Sequence, residues 1–327
     1  MTSPETLTLL GVTMEVCSED ALFLEEFVSI FGGREAPPTS PRGSLSVHLE
    51  KDSGWEGYGR LRISGDGLSD PAGFLLGFSS PTVPLCLLDS PEAGSVALGL
   101  ASDPVPVFLF RGEECLFRRV PRWRRIVSHF LFLRMLRLRP DALFFHAASV
   151  AIAGRGALLL GPKGTGKSTM ALALAARGHG FLGDETACYV PASGELLPFR
   201  RPVGIKPGPT SAIVRDALAR LRPTPDEEGL VRVPIESLLP VSPARPTPLT
   251  ALVFLSGFGS TAALVPRRAG REELACLQPI ASTLANVPAT QRVFEMVRLV
   301  SSLACFRLVA ADPDETARLL EKELGSR

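Results

Sequence analysis

The sequence has few of the residues that build metal centres or disulfide frameworks. None of its six cysteines stands in a Cys-x-x-Cys pair, and only four histidines accompany them. Zinc sites and disulfide scaffolds need closer and repeated spacings of these residues. The sequence therefore argues against both classes, and we expect most of the cysteines to be small buried apolar residues.

The chain also lacks an excess of charge of one sign. It carries 35 Lys and Arg against 34 Asp and Glu, a net charge of +1 over 327 residues. Proteins that coat nucleic acid carry a strong positive balance. We therefore expect no nucleic-acid partner for the chain as a whole.

A long apolar helix is missing as well. One uncharged run spans 246–266, but the segment Ser256-Gly257-Phe258-Gly259-Ser260 interrupts it. Small turn residues between two apolar stretches predict two strands around a turn, not a membrane span. The first residues show no basic segment followed by an apolar one, so we expect no signal peptide, no membrane partner and a cytoplasmic location.

What the chain does contain is ordinary material for folded domains. Apolar residues make up 45% and charged residues 21% of the chain, which is ordinary globular composition, and the length of 327 residues predicts about two domains. The predicted strands and helices along the chain indicate an α/β class with α+β elements. We expect 1–120 to be a strand-rich α+β recognition or scaffold domain, 121–141 an Arg-rich linking helix, and 142–327 the domain that carries the chemistry.

The junction between these regions is unusually rich in arginine. Eight arginines and no acidic residue lie within 118–139, where apolar residues recur at helical spacing. One interpretation is a linking helix whose Arg side chains extend from a buried face into solvent. The other is a docking surface for an acidic peptide, phosphate or nucleic acid. The pattern leaves both open.

A glycine-rich loop in the second half is the strongest chemical signal. It reads Gly161-Pro162-Lys163-Gly164-Thr165-Gly166-Lys167-Ser168, followed by Thr169, and it matches G-x-x-x-x-G-K-[ST] in full. Apolar residues at 157–160 predict a strand before it, and an Ala- and Leu-rich run at 170–176 predicts a helix after it. Loop amides and a helix N-terminus together suit a phosphate group. In such loops Lys167 reaches the outer phosphates and the Ser168 hydroxyl binds Mg²⁺.

Two neighbouring features support this interpretation of the loop. Residues 143–152 read as a single strand that returns through a glycine turn, which predicts an antiparallel hairpin entering the loop. Asp184 and Glu185 follow Lys167 by only 17 and 18 residues, enough for one helix and a return strand. We expect both carboxylates at the end of that strand, near the phosphates, where a metal ion and a base are needed.

Several segments of this half together resemble a known family. They are 145–149, the glycine turn at 153–156, the loop 161–169, the Gly-Asp-Glu at 183–185 and the run 198–206. They look like the C-terminal domain of HPr serine kinase/phosphorylase, and more narrowly like HPr-kinase-related proteins found near peptide-modification genes. The clear similarity covers about 142–210, and 1–120 does not resemble the N-terminal domain of the bifunctional enzymes.

The resemblance implies a P-loop kinase domain related to phosphoenolpyruvate carboxykinase and HPr kinase, using ATP and Mg²⁺ to phosphorylate a serine hydroxyl. By family position Asp184 is the general base, and Glu185 holds or orients the metal together with Ser168. His146 matches a family histidine just before the first strand of the hairpin. It is either a residue close to the phosphates or a buried, hydrogen-bonded structural histidine, and the sequence favours neither.

This sequence also departs from the family pattern. Pro162 and Lys163 replace the usual acidic or serine residue of the loop, and the segment from Phe199 lacks the acidic start of the bifunctional signature. The second departure argues against phosphorylase activity and against HPr as the acceptor. Arg200 and Arg201 occupy that segment instead, where their guanidinium groups suit phosphate or an acidic substrate.

The sequence leaves three functions open. The first is a kinase for a serine in a peptide or small protein, the partner that the resemblance implies. The second is a kinase for a small-molecule hydroxyl, and the third is a nucleotide-dependent adaptor that binds a peptide without transferring phosphate. The family resemblance also suggests a homo-oligomer.

Overall fold

The chain folds into a mixed α/β structure with several sheets. The computed structural model describes 4–32, 43–51, 56–65, 85–90, 94–99, 108–111, 114–119, 123–139, 141–225, 229–268, 270–271, 273–274, 277 and 289–325. These residues divide into two compact units, with the main boundary after residue 140. No helix in this described part of the chain is long and apolar enough to cross a bilayer.

The first unit is built on one sheet with the strand order β1-β2-β3-β4-β8-β7-β6-β5. Its elements are β1 (Glu5–Leu9), β2 (Val12–Ser18), α1 (Ala21–Phe31), β3 (Gly43–Lys51), β4 (Tyr58–Gly65), β5 (Leu85–Ser90), β6 (Gly94–Gly99), β7 (Phe108–Arg111), β8 (Glu114–Arg118) and α2 (Trp123–Arg137). Among the strands that the structure describes in this unit, only β2 and β3 pair in parallel, on either side of α1 in the chain. This sheet accounts for the strand-rich character of the first 120 residues.

The Arg-rich helix α2 belongs to this first unit and packs against α1. Phe31 stacks on Phe132 with ring centroids 4.6 Å apart, and Phe23 stacks on Trp123 at 6.0 Å. Trp123 and Phe132 of α2 therefore pack with α1 in a buried aromatic seam between the two helices.

Several arginines of the junction are used within the same unit. Arg124 donates through Nε and Nη2 to both carboxylate oxygens of Asp20, at 2.9 to 3.2 Å. Asp20 also caps α1 by accepting from the Phe23 amide at 3.0 Å. Burial opposes ionisation of Asp20, but the bonds from Arg124 and Phe23 outweigh it and lower the pKa of Asp20. Arg139, also buried, donates to the Leu10 carbonyl. These contacts favour the structural interpretation for the arginines involved.

The second unit combines the remaining elements around a larger sheet. They are β9 (Leu143–Phe145), β10 (Ala148–Ile152), β11 (Arg155–Leu160), α3 (Lys167–Ala176), β12 (Gly180–Gly183), β13 (Ala187–Val190), β14 (Glu195–Leu197), β15 (Val203–Ile205), α4 (Ala212–Leu221), β16 (Val231–Val233), α5 (Ile235–Leu238), β17 (Thr247–Phe258), β18 (Ala263–Arg267), α6 (Ala289–Ser302), β19 (Ala304–Ala310) and α7 (Pro313–Gly325). Apolar residues of α3 and α7 cover one face of this sheet and form its main core.

The hairpin expected before the glycine-rich loop is confirmed, but its first strand is shorter than predicted. β10 and β11 pair antiparallel from Ala148–Leu159 to Ile152–Arg155. Residues 143–152 do not form one strand, because His146 and Ala147 interrupt it and separate β9 from β10. The preceding β9 pairs with β13 in another part of the sheet.

The expected pairing of the two strands in 246–266 is wrong. β17 and β18 do exist, but β19 lies between them, parallel to β17 and antiparallel to β18. The apolar strand from near the C-terminus provides the parallel neighbour that a fully buried central strand needs. Short-range turn signals cannot reveal a partner that lies about 50 residues away.

We expect Asp20→Ala to destabilise the first unit by about 2 kcal/mol, because it removes a helix cap and an ion pair together. Asp20→Asn is the matched control, since asparagine also caps helices but carries no charge, and it should lose less than about 1 kcal/mol. Both tryptophans lie in the first 140 residues, so urea unfolding followed by tryptophan fluorescence reports this unit. Equal stability of both variants and the wild type would contradict the assigned role.

Candidate functional site

Strand directions bring the predicted site residues to one edge of the second sheet. β11 and β12 both pair antiparallel with β10, so they run in the same direction and end at the same edge. The glycine-rich loop follows β11, and Asp184 follows β12. β10 runs the opposite way and starts at this edge just after His146. Residues predicted from separate motifs therefore converge here.

The glycine-rich loop has a backbone that only glycine tolerates at key points. Gly161, Gly164 and Gly166 have φ values of 151°, 89° and 92°, in the region that disfavours side chains. A Cβ on Gly161 would also lie 2.8 Å from the Leu255 carbonyl oxygen of β17. The loop then turns directly into α3, whose first residue is Lys167. A loop and a helix N-terminus are thus joined as a phosphate site requires.

Lys167 is folded over its own loop. Its side chain is only 7% exposed, and Nζ donates to the carbonyl oxygens of Gly161 at 2.7 Å and Pro162 at 3.0 Å. Burial lowers the pKa of Lys167, while the charges of Asp184 and Glu185 raise it in part. Pro162 and Lys163 themselves are exposed, so the unusual loop residues lie at its outer surface.

Ser168 and Asp184 form the central pair of the site. The Ser168 hydroxyl donates to Asp184 Oδ1 at 2.8 Å, and it joins the first turn of α3 to the end of β12. The other oxygen, Asp184 Oδ2, is buried and has no hydrogen-bond partner. Burial and the neighbouring Glu185 charge raise the pKa of Asp184 to about 6, although the Ser168 bond acts in the opposite direction. This carboxylate is therefore costly to bury without a ligand.

Glu185 sits in a strained turn directly after Asp184. Its φ of +60° is rare for a residue with a side chain, and the Thr186 amide donates to the Asp184 carbonyl at 2.7 Å. This closes a three-residue turn with Glu185 at its centre. Backbone strain of this kind persists where surrounding contacts hold it, often at functional sites.

Arg201 and His146 supply such contacts. Arg201, 8% exposed, donates through Nη2 to Thr186 Oγ1 at 3.2 Å and lies 3.4 Å from Glu185 Oε2. His146 Nδ1 lies 2.9 Å from the Glu185 carbonyl oxygen. A carbonyl can only accept, so Nδ1 carries the proton and Nε2 has the lone pair when the ring is neutral. Both side chains thus hold the Glu185 turn.

The environment of His146 favours the neutral ring. Surrounding protein lowers the pKa of His146 by desolvation, and the positive charge of Lys167 lowers it further, although Glu185 acts in the opposite direction. The residue is nevertheless exposed at the surface, which differs from a fully buried structural histidine. The charge of Lys167 acts on this ring, so His146 lies near the glycine-rich loop.

Arg200 is used differently from its neighbour. Its guanidinium donates to the Phe181 carbonyl at 2.8 Å, to Glu236 Oε1 at 3.2 Å and to the Ser242 carbonyl at 2.8 Å. None of these partners belongs to the predicted site. Of the two candidate substrate arginines, the structure therefore brings only Arg201 to the acidic pair, Asp184 and Glu185.

The oxygen donors at this edge fit Mg²⁺ better than a softer metal. Ser168 and Glu185 offer a hydroxyl and a carboxylate, and hard oxygen ligands are those that Mg²⁺ prefers. Asp184, bonded to the Ser168 hydroxyl, places a second carboxylate beside them. Across the residues that the structure describes, no group of three His, Cys, Asp or Glu forms a metal cluster by itself. Mg²⁺ commonly completes such partial sets with water and phosphate oxygens.

Sequence reasoning missed two residues at this edge. Thr186 binds Arg201, and its only signal was a hydroxyl directly after the acidic pair. Phe258 ends β17, and its ring lies 3.2 Å from where a Cβ on Gly166 would stand. The signal for Phe258 is a single aromatic residue among the small residues of 256–260, a pattern that by itself indicates only a turn.

Comparison with known proteins gives no further assignment. No protein-family model matches the chain, and no curated protein matches its sequence.

We expect Asp184→Asn to stabilise the ligand-free protein at pH 7 by about 2–3 kcal/mol, because it removes a buried carboxylate with a pKa raised to about 6. A carboxyl with a raised folded pKa binds protons more tightly when folded. Wild-type stability should therefore fall as pH rises from about 4 to 6, and remain lowered above that range.

Denaturant unfolding at several pH values, with a chelator present, measures this difference. Asp216→Asn, an exposed aspartate on α4, is the matched control and should behave like the wild type. If wild type and Asp184→Asn have parallel pH profiles, Asp184 is not the costly buried group.

Proposed function

We propose that this protein is an ATP- and Mg²⁺-dependent kinase that transfers the γ-phosphate to a serine hydroxyl of a peptide or small protein. The observation that carries the proposal is the Ser168–Asp184 pair beside the glycine-rich loop, with one buried Asp184 oxygen unpartnered and a pKa of about 6. The resemblance of 142–210 to the HPr kinase family supports the same activity.

We assign the second unit as a P-loop kinase domain related to phosphoenolpyruvate carboxykinase and HPr kinase. The support is local: β11, the loop and α3 follow one another directly, and an antiparallel hairpin leads into them. The short step of 17 residues from Lys167 to Asp184 adds to it.

Asp184 acts as the general base in the proposed reaction. It accepts the proton of the acceptor hydroxyl while that oxygen bonds to the γ-phosphorus and the bond to the β-phosphate oxygen breaks, leaving ADP. A raised pKa makes Asp184 a stronger base than an ordinary carboxylate while still leaving it mostly ionised at neutral pH. Its unpartnered oxygen is the atom available for that proton.

Lys167 and the loop amides stabilise the negative charge of the transferred group. Lys167 is already desolvated at the loop, so exchanging the carbonyl oxygens of Gly161 and Pro162 for phosphate oxygens replaces dipoles with charges. Residues 161–169 form the nucleotide-binding segment in this proposal. Mg²⁺, held by Ser168 and Glu185, would neutralise phosphate charge and orient the phosphates.

His146 and Arg201 are assigned supporting roles. Both hold the strained Glu185 turn, one through its carbonyl and the other through its carboxylate. His146 also presents Nε2 as a free acceptor when neutral. The first unit is the proposed recognition module for the acceptor, and the cytoplasm is the proposed compartment.

We expect Asp184→Asn to reduce phosphotransfer by at least about 100-fold, because the general base is lost, while leaving ATP affinity within a few-fold. The assay incubates the full chain with ATP, Mg²⁺ and a degenerate serine-containing peptide library, and detects phosphopeptides by mass spectrometry. A library with alanine in place of serine, and the Asp216→Asn variant, serve as controls. Unchanged transfer by Asp184→Asn would overturn the assignment of the base.

The same assay separates the other functions. Transfer to small hydroxyl compounds but to no peptide would identify a small-molecule kinase. ATP binding without transfer to either class of acceptor would identify an adaptor.

We expect Lys167→Met to weaken ATP binding by roughly 10- to 100-fold, the effect of losing a charge-assisted hydrogen bond at a desolvated site. Lys163→Met is the matched control, because Lys163 lies on the same loop but is exposed. Calorimetric titration with Mg-ATP measures both. Equal losses for the two variants would mean that only the net charge of the loop matters.

A further inference from the structure

An aromatic side chain lies open to solvent beside the glycine-rich loop. Phe258, the last residue of β17, is 62% exposed, although its ring comes 3.2 Å from the position that a Gly166 Cβ would occupy. One exposed aromatic residue is unremarkable by itself on a protein surface. This ring, however, lies against Gly166, the residue that precedes Lys167.

A β-bulge aims Phe258 at the loop. Leu255 pairs with Leu308 and Phe258 pairs with Ala310, so β17 advances three residues where β19 advances two. Side chains alternate between the two faces of a strand, and one extra residue reverses that alternation. Phe258 therefore takes the face of Leu255, which packs in the core with α3. Without the bulge the ring would leave from the opposite face, away from the start of α3.

The C-terminal end of β17, which carries Phe258, is anchored to β19 by two hydrogen bonds. Ser256 Oγ donates to the Leu308 carbonyl at 3.1 Å, and the Gly259 amide donates to the Ala310 carbonyl at 2.8 Å. A Cβ on Gly259 would lie 2.9 Å from the Val309 side chain, so the backbone packs closely against β19. The exposed ring is therefore presented by an anchored segment, which lowers the entropy lost on binding.

The order of strands places this ring and the acidic pair on opposite sides of the glycine-rich loop. β11 lies between β10 and β17, and β12, which leads into Asp184, lies beyond β10. The loop after β11 therefore has the acidic pair on one side and Phe258 on the other. A bound nucleotide whose terminal phosphate faces Ser168 and Asp184 extends its base end toward β17.

We propose that Phe258 is the platform on which the base of the nucleotide stacks, an inference that rests on the proposed function. A phenyl face binds the π-face of any base, so the platform distinguishes bases only by their stacking area. Purines offer the larger stacking surface and should bind more tightly than pyrimidines, with little distinction within each class. The bulge and the two hydrogen bonds exist, on this view, to present the ring to the nucleotide.

The test compares two probes, Mg-ATP and inorganic tripolyphosphate with Mg²⁺, by calorimetric titration of the full chain. Phe258→Ala should weaken ATP binding by about 10-fold and leave tripolyphosphate binding unchanged, since only ATP carries a base. Phe258→Trp should restore ATP binding. Phe294→Ala is the matched control, because Phe294 is a similarly exposed phenylalanine, 73% accessible, on α6.

The possible results separate this inference from the proposed function. If the wild type binds both probes and Phe258→Ala weakens neither, or weakens both equally, the stacking role is overturned while the phosphate site stands. Wild-type tripolyphosphate binding as tight as ATP binding would overturn it too. If the wild type binds neither probe, the proposed function and the stacking role both fail.

Discussion

The hydrogen bond from Ser168 to Asp184 is the contact on which the candidate site depends. It joins the start of α3 to the end of β12, two points that the chain connects through one helix and one strand. The bond is possible because β11 and β12 run in the same direction and end at one edge of the sheet. The sheet topology therefore places the glycine-rich loop, which suits phosphate, next to the Asp184 carboxylate, which can accept a proton.

The ligand-free site contains several energetically unfavourable features, whose cost the rest of the second unit must offset. Asp184 is buried with an unpartnered oxygen, Lys167 is desolvated and Glu185 has a positive φ. Such features persist when a well-packed core over-determines them. The core beneath α3 and α7 provides that support, and a ligand carrying both phosphate and a cation would relieve the burial of both charges.

The two units use arginine for different purposes. In the first unit Arg124 fixes the helix cap of α1 through Asp20. The guanidinium carbon of Arg124 also lies 5.1 Å from the centroid of the Trp123 ring. In the second unit Arg200 joins three structural partners, whereas Arg201 reaches the acidic pair. Composition alone could not separate these roles, because an arginine's function depends on which carboxylate the fold brings within reach.

Elements whose signals are local can be predicted from the amino-acid sequence. The loop from Gly161 to Ser168, the hairpin before it and the placement of Asp184 after a strand follow from glycine positions, apolar runs and spacing. The pairings between distant segments are seen only in the folded chain. There β19 pairs with β17, the strand predicted at 143–152 is interrupted at His146, and Phe258 turns toward the loop. The physical reason is that strand pairing and side-chain direction depend on partners far along the chain, which no local pattern specifies.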